Sequence, residues 1–298
     1  MTSIEISGTD QFLNARPRLF AAAYRMLGSV SDAEDILQEA FLRWQSAAPD
    51  TVRDPVGFLM RITTRLCLDQ LKSARAKREI YPGEWLPEPV LTDDPVEALD
   101  HDVSVALLLA LERLTPLERA AFLLHDVFDC DYDEVASALG RSEASCRQLA
   151  TRARRNVQQE KPRAHVDKQK GEDVARAFFA ASKTGDTETL MHLLAEDVQL
   201  ISDGGGKAMA ALNPIYGRDR TLRLIHGLVR KQGGAIPKDW TVCQLNGLPA
   251  IISHEADGIV QASSLEIVDG KIHRIYVVRN PDKTRHLVEA LSEKQGPR

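Results

Sequence analysis

The sequence predicts a multidomain chain: two all-α modules joined by an extended linker, followed by an α+β domain. Three observations predict it. Apolar residues recur at helical spacing through residues 12–78 and again through 104–160. Pro82, Pro87, Pro89 and Pro95 crowd the stretch between them, where they forbid a helix and favour an extended path. Beyond Lys161 a polar hinge, KPRAHVDKQKG, leads into three helical patterns and then into period-two alternation. At 298 residues the chain has room for two or three domains, each with its own core.

In the first module, SDAEDILQEAFLRW has Ser31 as its expected N-cap, with Glu34 three residues on completing a capping box. Ile36, Leu37, Ala40, Phe41 and Trp44 make its apolar face, and Asp32, Asp35, Glu39 and Arg43 point outward. A further helix opens on Asp54 as N-cap with Pro55 at the first helical position. Its wheel sets Phe58, Leu59, Ile62 and Leu66 toward the core and Arg61, Arg65 and Lys72 on another stripe. In the second module Thr115 and Pro116 start one helix, and DEVASALGRSEASCRQLATRARRNV divides into two more at Gly140. The tail begins with a helix carrying Val174, Phe178 and Phe179, followed by helices over TETLMHLLAEDV and DRTLRLIHGLVRK. TVCQLNGLPAIISH and IVQASSLEIVDGKIHRIYVV then alternate, and Asp269-Gly270 signals a type I′ hairpin. Helices followed by an antiparallel meander make an α+β domain.

Hydrophobic content of 43% and charged content of 27% describe an ordinary soluble protein. No apolar run approaches eighteen residues, which excludes a membrane-spanning helix, and the first residues lack the pattern of a signal peptide. Cys67, Cys130, Cys146 and Cys243 lie far apart without a CxxC pair, so reduced thiols in the cytoplasm are expected, with no metal and no cofactor. The net charge of −5 argues against a polyanionic partner only until its placement is considered. Arg61, Arg65, Lys72, Arg75, Lys77 and Arg78 form one basic island against Asp69 alone. Arg141, Arg147, Arg152, Arg154 and Arg155 form another against Glu143 alone. Two such islands suit two contacts with one long polyanion.

The second island sits on a helix-turn-helix pattern. Ala136 lets the two helices approach, Gly140 supplies a positive-φ turn, and Cys146, Leu149, Ala150, Ala153 and Val157 face inward. Ser142 caps the second helix. Its outward side carries Ala144, Arg147, Gln148, Thr151 and Arg155, flanked by Arg152 and Arg154, a mixture of base-reading and phosphate-binding side chains, and Ser145 joins them as a candidate DNA contact. A solvated basic helix is the plain alternative, and the glycine register with its matching inward set favours DNA binding.

These residues resemble a known family. SDAEDILQEAFLRW resembles the second-region core of bacterial sigma factors, and Thr115-Pro116 with the helix-turn-helix resembles their fourth region. The spacing, without a first or third region, is similar to the extracytoplasmic-function (ECF) class. WLPEP (Trp85–Pro89), DGGGK (Asp203–Lys207) and NPDK (Asn280–Lys283) resemble the motifs of its SigJ-type subgroup, whose extension is SnoaL-like. The resemblance implies sigma region 2 over 1–80, a linker over 81–103, sigma region 4 over 104–162 and a SnoaL-like domain over 163–298, a curved sheet wrapped by helices around a cavity. It implies two partners, promoter DNA and core RNA polymerase, met through the coiled coil of the β′ subunit and the β flap. Asp32, Asp35 and Glu39 would clamp the coiled coil. Arg61, Arg65, Lys72 and Arg75 would hold the −10 element during melting, although Gln38–Trp44 supplies few aromatics for stacking flipped bases. Arg147, Gln148 and Thr151 would read −35 base edges, while Arg141, Arg152, Arg154 and Arg155 position the duplex.

The tail admits several readings. ISDGGGKA is not a phosphate loop, because Ile201 stands where its first glycine belongs and Ala208 replaces the Ser/Thr. An enzyme would use Asp203, His226 or His254 as proton carrier, but HExxH is absent and the histidines are scattered. A ligand sensor would bind a small molecule in the cavity without turnover. The linker favours a third role. Trp85 and Leu86 left in water forgo roughly 1.5–3 kcal/mol each, so a surface should cover them. The expected contact joins Trp85, Leu86 and Pro87 to Asp203, Gly204, Gly205, Gly206 and Lys207, with Asn280, Pro281, Asp282 and Lys283 beside them. A non-catalytic domain docked in this way would regulate the sigma modules from within the chain.

Overall fold

A computed structural model describes residues 8–47, 52–79, 81–92, 104–158 and 166–294. The chain forms two compact units, Met1–Glu79 with Leu99–Lys161, and Ile80–Ala98 with Pro162–Arg298.

The first unit is helical. α1 (Gly8–Leu27), α2 (Val30–Ser46) and α3 (Pro55–Glu79) pack through Leu19, Tyr24, Leu27, Leu37, Trp44 and Leu59, all essentially buried. Helix α2 starts earlier than its capping pattern predicts. Gly28 turns the chain at φ +66°, Ser29 is extended, and its hydroxyl accepts the Asp32 N–H at 3.1 Å. Ser29, not Ser31, is therefore the N-cap, and Glu34 forms an ion pair with Arg16 at 2.7 Å instead of closing a capping box. Asp54 caps α3 as expected, accepting from the Gly57 N–H at 3.0 Å.

α4 (Val105–Glu112) precedes α5 (Pro116–Phe122), whose Thr115–Glu118 capping box is complete. α5 runs into a single π turn, Leu123–Val127. α6 (Tyr132–Leu139) ends on Gly140 at φ +62°, and α7 (Glu143–Gln158) follows with Ser142 accepting the Ser145 N–H at 3.3 Å. A left-handed residue costs an L side chain about 1–2 kcal/mol, which is why glycine occupies the corner.

The second unit is α+β. α8 (Lys168–Thr184) and α9 (Thr187–Leu193) lead to β1 (Leu194–Asp203), and β2 (Ile215–Tyr216) is followed by α10 (Arg218–Gln232). β3 (Trp240–Leu245), β4 (Leu248–His254), β5 (Val260–Val268) and β6 (Lys271–Val278) form the antiparallel meander, and α11 (Pro281–Lys294) ends it. The sheet order is β2-β1-β6-β5-β4-β3.

Two features depart from the sequence pattern. The helix expected over TETLMHLLAEDV stops at Leu193, and Leu194 turns into a strand that pairs parallel with β6. The sheet is thus mixed, and α11 was not anticipated. Asp269 and Gly270 both adopt positive φ, as a type I′ turn requires, and Asn246-Gly247 makes a second such turn.

One face of the sheet packs Leu200, Ile251, Leu265 and Ile275 against Phe178, Phe179 and Ile225 of α8 and α10. On the other face Ile252, Ala262, Ser264, Tyr276 and Val278 are also buried. Helix α11 lies against β5 there.

Candidate nucleic-acid interface and linker latch

In the helix-turn-helix, Cys146, Ala150 and Ala153 are buried, while Leu149 and Val157 are half-buried. Arg141, Ala144, Gln148, Thr151, Arg152 and Arg155 are exposed, and Ser145 is half-buried beside the cap. Arg147 is exposed, pairs with Glu143 at 2.8 Å and lies 4.9 Å from the centre of the Tyr132 ring. An exposed pair of this kind contributes at most about 1 kcal/mol, so DNA can displace it. Arg154 differs. Its guanidinium holds Asp126 at 2.5 Å and the Tyr132 hydroxyl at 3.1 Å, contacts that raise its pKa further. It ties α7 to the turn after α5.

The basic stripe of α3 is partly engaged within the first unit. Arg65 donates to the carbonyls of Ser137 (2.9 Å) and Ala138 (3.2 Å), at the C-terminal end of α6 where the helix dipole favours a cation. Lys72 is exposed and pairs with Asp69 at 2.7 Å. Arg61 lies over the Phe58 ring. Arg75 continues α3, with its side chain outside the described residues. On α2, Asp35 is exposed, Glu39 pairs with Arg43 at 2.8 Å, and Asp32 accepts from Gln70 at 3.3 Å. Leu42 is exposed, one turn beyond Glu39. Trp44 is fully buried, donating to the Gly8 carbonyl at 2.6 Å, which removes it as a base-stacking platform.

The second unit holds the linker. Asp203, at the end of β1, is 1% exposed, and its carboxylate accepts four hydrogen bonds. One carboxylate oxygen takes the Tyr81 hydroxyl at 2.6 Å and the Gly205 N–H at 3.0 Å. The other takes the Leu86 N–H at 2.9 Å and the Lys283 ammonium at 2.7 Å. Lys283 also donates to the Leu86 carbonyl at 2.6 Å, and its ammonium lies 4.2 Å from the centre of the Trp85 ring. Burial, and then the hydrogen bond to Asp203, push the Tyr81 hydroxyl far above the ordinary phenol range, so it remains a donor.

The motif residues divide this work. Gly206, at φ +71°, passes so near Pro82 that a Cβ there would meet the ring at 2.7 Å, and a Cβ on Gly205 would collide with Asn280. A Cβ on Gly204 would meet the Ala208 carbonyl. Asn280 donates to Tyr81 at 2.9 Å and accepts the Asp282 N–H at 3.1 Å, with Pro281 between them at the start of α11. Lys207 pairs with Asp282 on the surface.

Leu86, Pro87, Glu88 and Pro89 are buried. The His286 ring contacts the Pro89 carbonyl at 2.7 Å, Val90 exchanges two hydrogen bonds with Asn246, and Leu91 bridges to Leu245 of β3. The linker thus runs from the end of β1 to the β3 edge, across four strand spacings or about 19 Å. Tyr81, Asn246 and His286 were absent from the sequence-derived set. The Asn-Gly dipeptide was the available signal for Asn246.

The proton carriers of the enzyme reading are placed elsewhere. Asp203 is committed to the linker, His226 contacts Thr187 at 2.9 Å, and His254 is exposed at the end of β4. None lines the unit's cavity. Among the described residues there is no metal-binding cluster and no helix long and apolar enough to cross a membrane.

Residues 12–77 match the Sigma-70 region 2 family and residues 104–157 match Sigma-70, region 4. The chain is 39% identical over 290 residues to the ECF RNA polymerase sigma factor SigJ of Mycobacterium tuberculosis strain H37Rv, covering 92% of each. The chain is an ECF RNA polymerase sigma factor. It is also 34% identical to the probable ECF sigma factor SigI of the same strain, covering 89% of this chain and 91% of that one. The crystal structure of M. tuberculosis SigJ matches with a TM-score of 0.76 at 36% identity, covering 93% of this chain and 98% of that one. Helical sigma regions 2 and 4 with a C-terminal sheet-containing domain are therefore its architecture. Its activity is that of the family, binding RNA polymerase and directing transcription initiation.

Proposed function

We propose that this ECF sigma factor is governed by its own C-terminal domain, which holds the linker between regions 2 and 4 in a closed latch and thereby limits promoter engagement. The observation that carries this reading is the buried Asp203–Lys283 pair gripping Leu86 from both sides of its peptide. A linker fixed along residues 81–92 withholds about 40 Å of extended reach from the two DNA-contacting modules. Several kcal/mol of docking shift such an equilibrium by a factor of a thousand or more.

In the released form Arg147, Gln148 and Thr151 read −35 base edges, supported by Ala144 and Ser145 at the close-approach end of α7. Arg141, Arg152 and Arg155 contact phosphates, and Arg154 braces the helix. Arg61, Arg65, Lys72 and Arg75 hold the −10 strand. Asp32, Asp35 and Glu39 meet the β′ coiled coil, region 4 meets the β flap, and both work in the cytoplasm. The SnoaL-like domain binds a small molecule without turning it over, a reading supported by the placement of Asp203, His226 and His254 away from its cavity.

In-vitro transcription with purified core polymerase tests the proposal. Trp85→Ala and Asp203→Ala in the full chain, and a chain ending at Lys161, should each initiate more than the wild type. Unchanged output from all three would sink it.

A further inference from the structure

Charge in the tail of the chain is even in total and uneven in place. Residues 171–298 carry sixteen Lys or Arg and sixteen Asp or Glu. Within α10, however, Arg218, Arg220, Arg223, Arg230 and Lys231 stand against Asp219 alone. The basic island of α7 has the same balance, five cations to one carboxylate.

At 3.6 residues per turn, Arg220, Arg223, Gly227, Arg230 and Lys231 fall within an arc of about 100°. Leu222 and Ile225 point the other way, into the core, with Val229 packed against them. The four cations therefore form an outer stripe about 16 Å long. All four are exposed. Arg220, Arg223 and Arg230 form no hydrogen bond or ion pair among the described residues, and Lys231 reaches only the Met209 sulfur at 3.5 Å. In the first unit, by contrast, Arg65, Lys72, Arg147 and Arg154 each have a partner within the chain. A surface charged for solubility intersperses both signs, and Asp219, one turn before Arg223, leaves it unpaired. Arg218 lies off the stripe and answers Glu196 at 3.6 Å. Exposed Tyr216 lines a polar groove with Arg220 and Arg223, adding a neutral donor at that end.

Gly227 sits in the helix interior, where glycine is unfavourable. A Cβ there would meet nothing within 4 Å, so packing within the unit does not require it. It lies at the centre of the stripe, between the two pairs of cations, where a bare backbone admits a close-fitting partner.

The charge identifies that partner. Each strand of a DNA duplex carries a phosphate about every 3.4 Å, so about 16 Å of one strand presents about five. Four cations over that length match it in charge and in span. Arginine suits phosphate through its paired N–H groups, and cations flanking a glycine hold a backbone without reading bases.

We propose that α10 is a further DNA-contacting surface of this sigma factor, binding the phosphate backbone of duplex DNA independently of sequence through Arg220, Arg223, Arg230 and Lys231. The contact does not depend on the latch, and a chain ending at Lys161 lacks it.

Fluorescence anisotropy of the full chain on a labelled duplex of about 30 base pairs, at about 50–200 mM salt, tests this. Each lost phosphate contact lowers the slope of log K against log salt by about 0.9. Arg223→Gln with Arg230→Gln should therefore lower it by about two and weaken binding about tenfold or more, equally on cognate and scrambled sequences. Arg223→Lys with Arg230→Lys should keep most of the slope. Arg176→Gln with Arg285→Gln removes the same charge from exposed positions on α8 and α11 and should change the slope little. Gly227→Leu should weaken binding severalfold while the melting temperature holds or rises, since leucine is the better helix former. No measurable binding by the wild type, or equal losses from the two glutamine pairs, overturns the proposal. So does a loss confined to single-stranded RNA of the same length, which would assign the stripe to RNA. Gly227→Leu binding as tightly as the wild type overturns the close approach at the glycine. None of these readouts is transcription or linker exchange, so the latch stands or falls separately.

Discussion

The carboxylate of Asp203 accepts the backbone N–H of Leu86 at 2.9 Å across 117 positions of sequence. Asp203 and Lys283 are both buried, so removing one leaves the other as an uncompensated charge. Asp203→Ala should destabilise the second unit by about 3–5 kcal/mol and speed amide exchange at Leu86. Asp203→Ala with Lys283→Met should recover part of the stability and none of the slow exchange. Urea unfolding and exchange mass spectrometry on both proteins check this.

Gly206 and Gly258 separate backbone strain from close approach. Both have positive φ, +71° and +77°, but a Cβ on Gly206 meets Pro82 whereas one on Gly258 meets nothing within 4 Å. Gly258→Ala should cost about 1–2 kcal/mol with the linker undisturbed. Gly206→Ala should cost more and raise exchange at Leu86. Equal effects on the linker would remove the motif's role in holding it.

The arginines of α7 should fail in different ways. Arg147→Ala should lose roughly 1–3 kcal/mol on cognate −35 DNA and relax sequence preference. Arg155→Ala should weaken all sequences alike and reduce the salt slope by about one. Arg154→Ala should also lower the melting temperature, because it breaks the pair with Asp126. Anisotropy titrations at several salt concentrations, on cognate and scrambled duplexes and beside thermal melts, distinguish the three.

Thiol chemistry reports the packing of the first unit. Burial, and then the charge of Asp32, push Cys67 far above the ordinary range, and burial likewise raises Cys146. Burial and the nearby Glu134, opposed by Arg18, push Cys130 up to about 11. About one Cys130 in a thousand is then thiolate at pH 8. Ellman's reagent should modify these three slowly in the native protein, with the rate at Cys130 rising about tenfold per pH unit, and rapidly in guanidinium.

Much of the first unit was legible because its signals are local. Thr115-Pro116, Asp54-Pro55 and Gly140 act within one turn of chain. Ser29 escaped notice because Ser31 and Glu34 imitate a capping box, and the glycine before Ser29 settles the start. β1 was hidden by adjacency: no breaker separates it from α9, and its parallel partner β6 lies far downstream. Trp85 and Leu86 advertised a need for cover through their side chains. The path of Val90–Thr92 along β3 did not, since it is held by backbone groups and by the side chains of Asn246 and Thr92. The contact of Trp85 and Leu86 with the Asp203 loop could be named from sequence, whereas the commitment of Arg154 to Asp126 and of Arg65 to α6 appears only in three dimensions.

The same strip of chain proposed to restrain the sigma modules also covers the outer edge of β3. Peeling it away would bare the hydrogen-bonding groups of β3 together with apolar surface, a template on which stray strands can grow. Activation by simple loosening would therefore carry a colloidal hazard. A durable release needs a substitute strand, or swift capture by a larger assembly, which makes solubility itself part of the control.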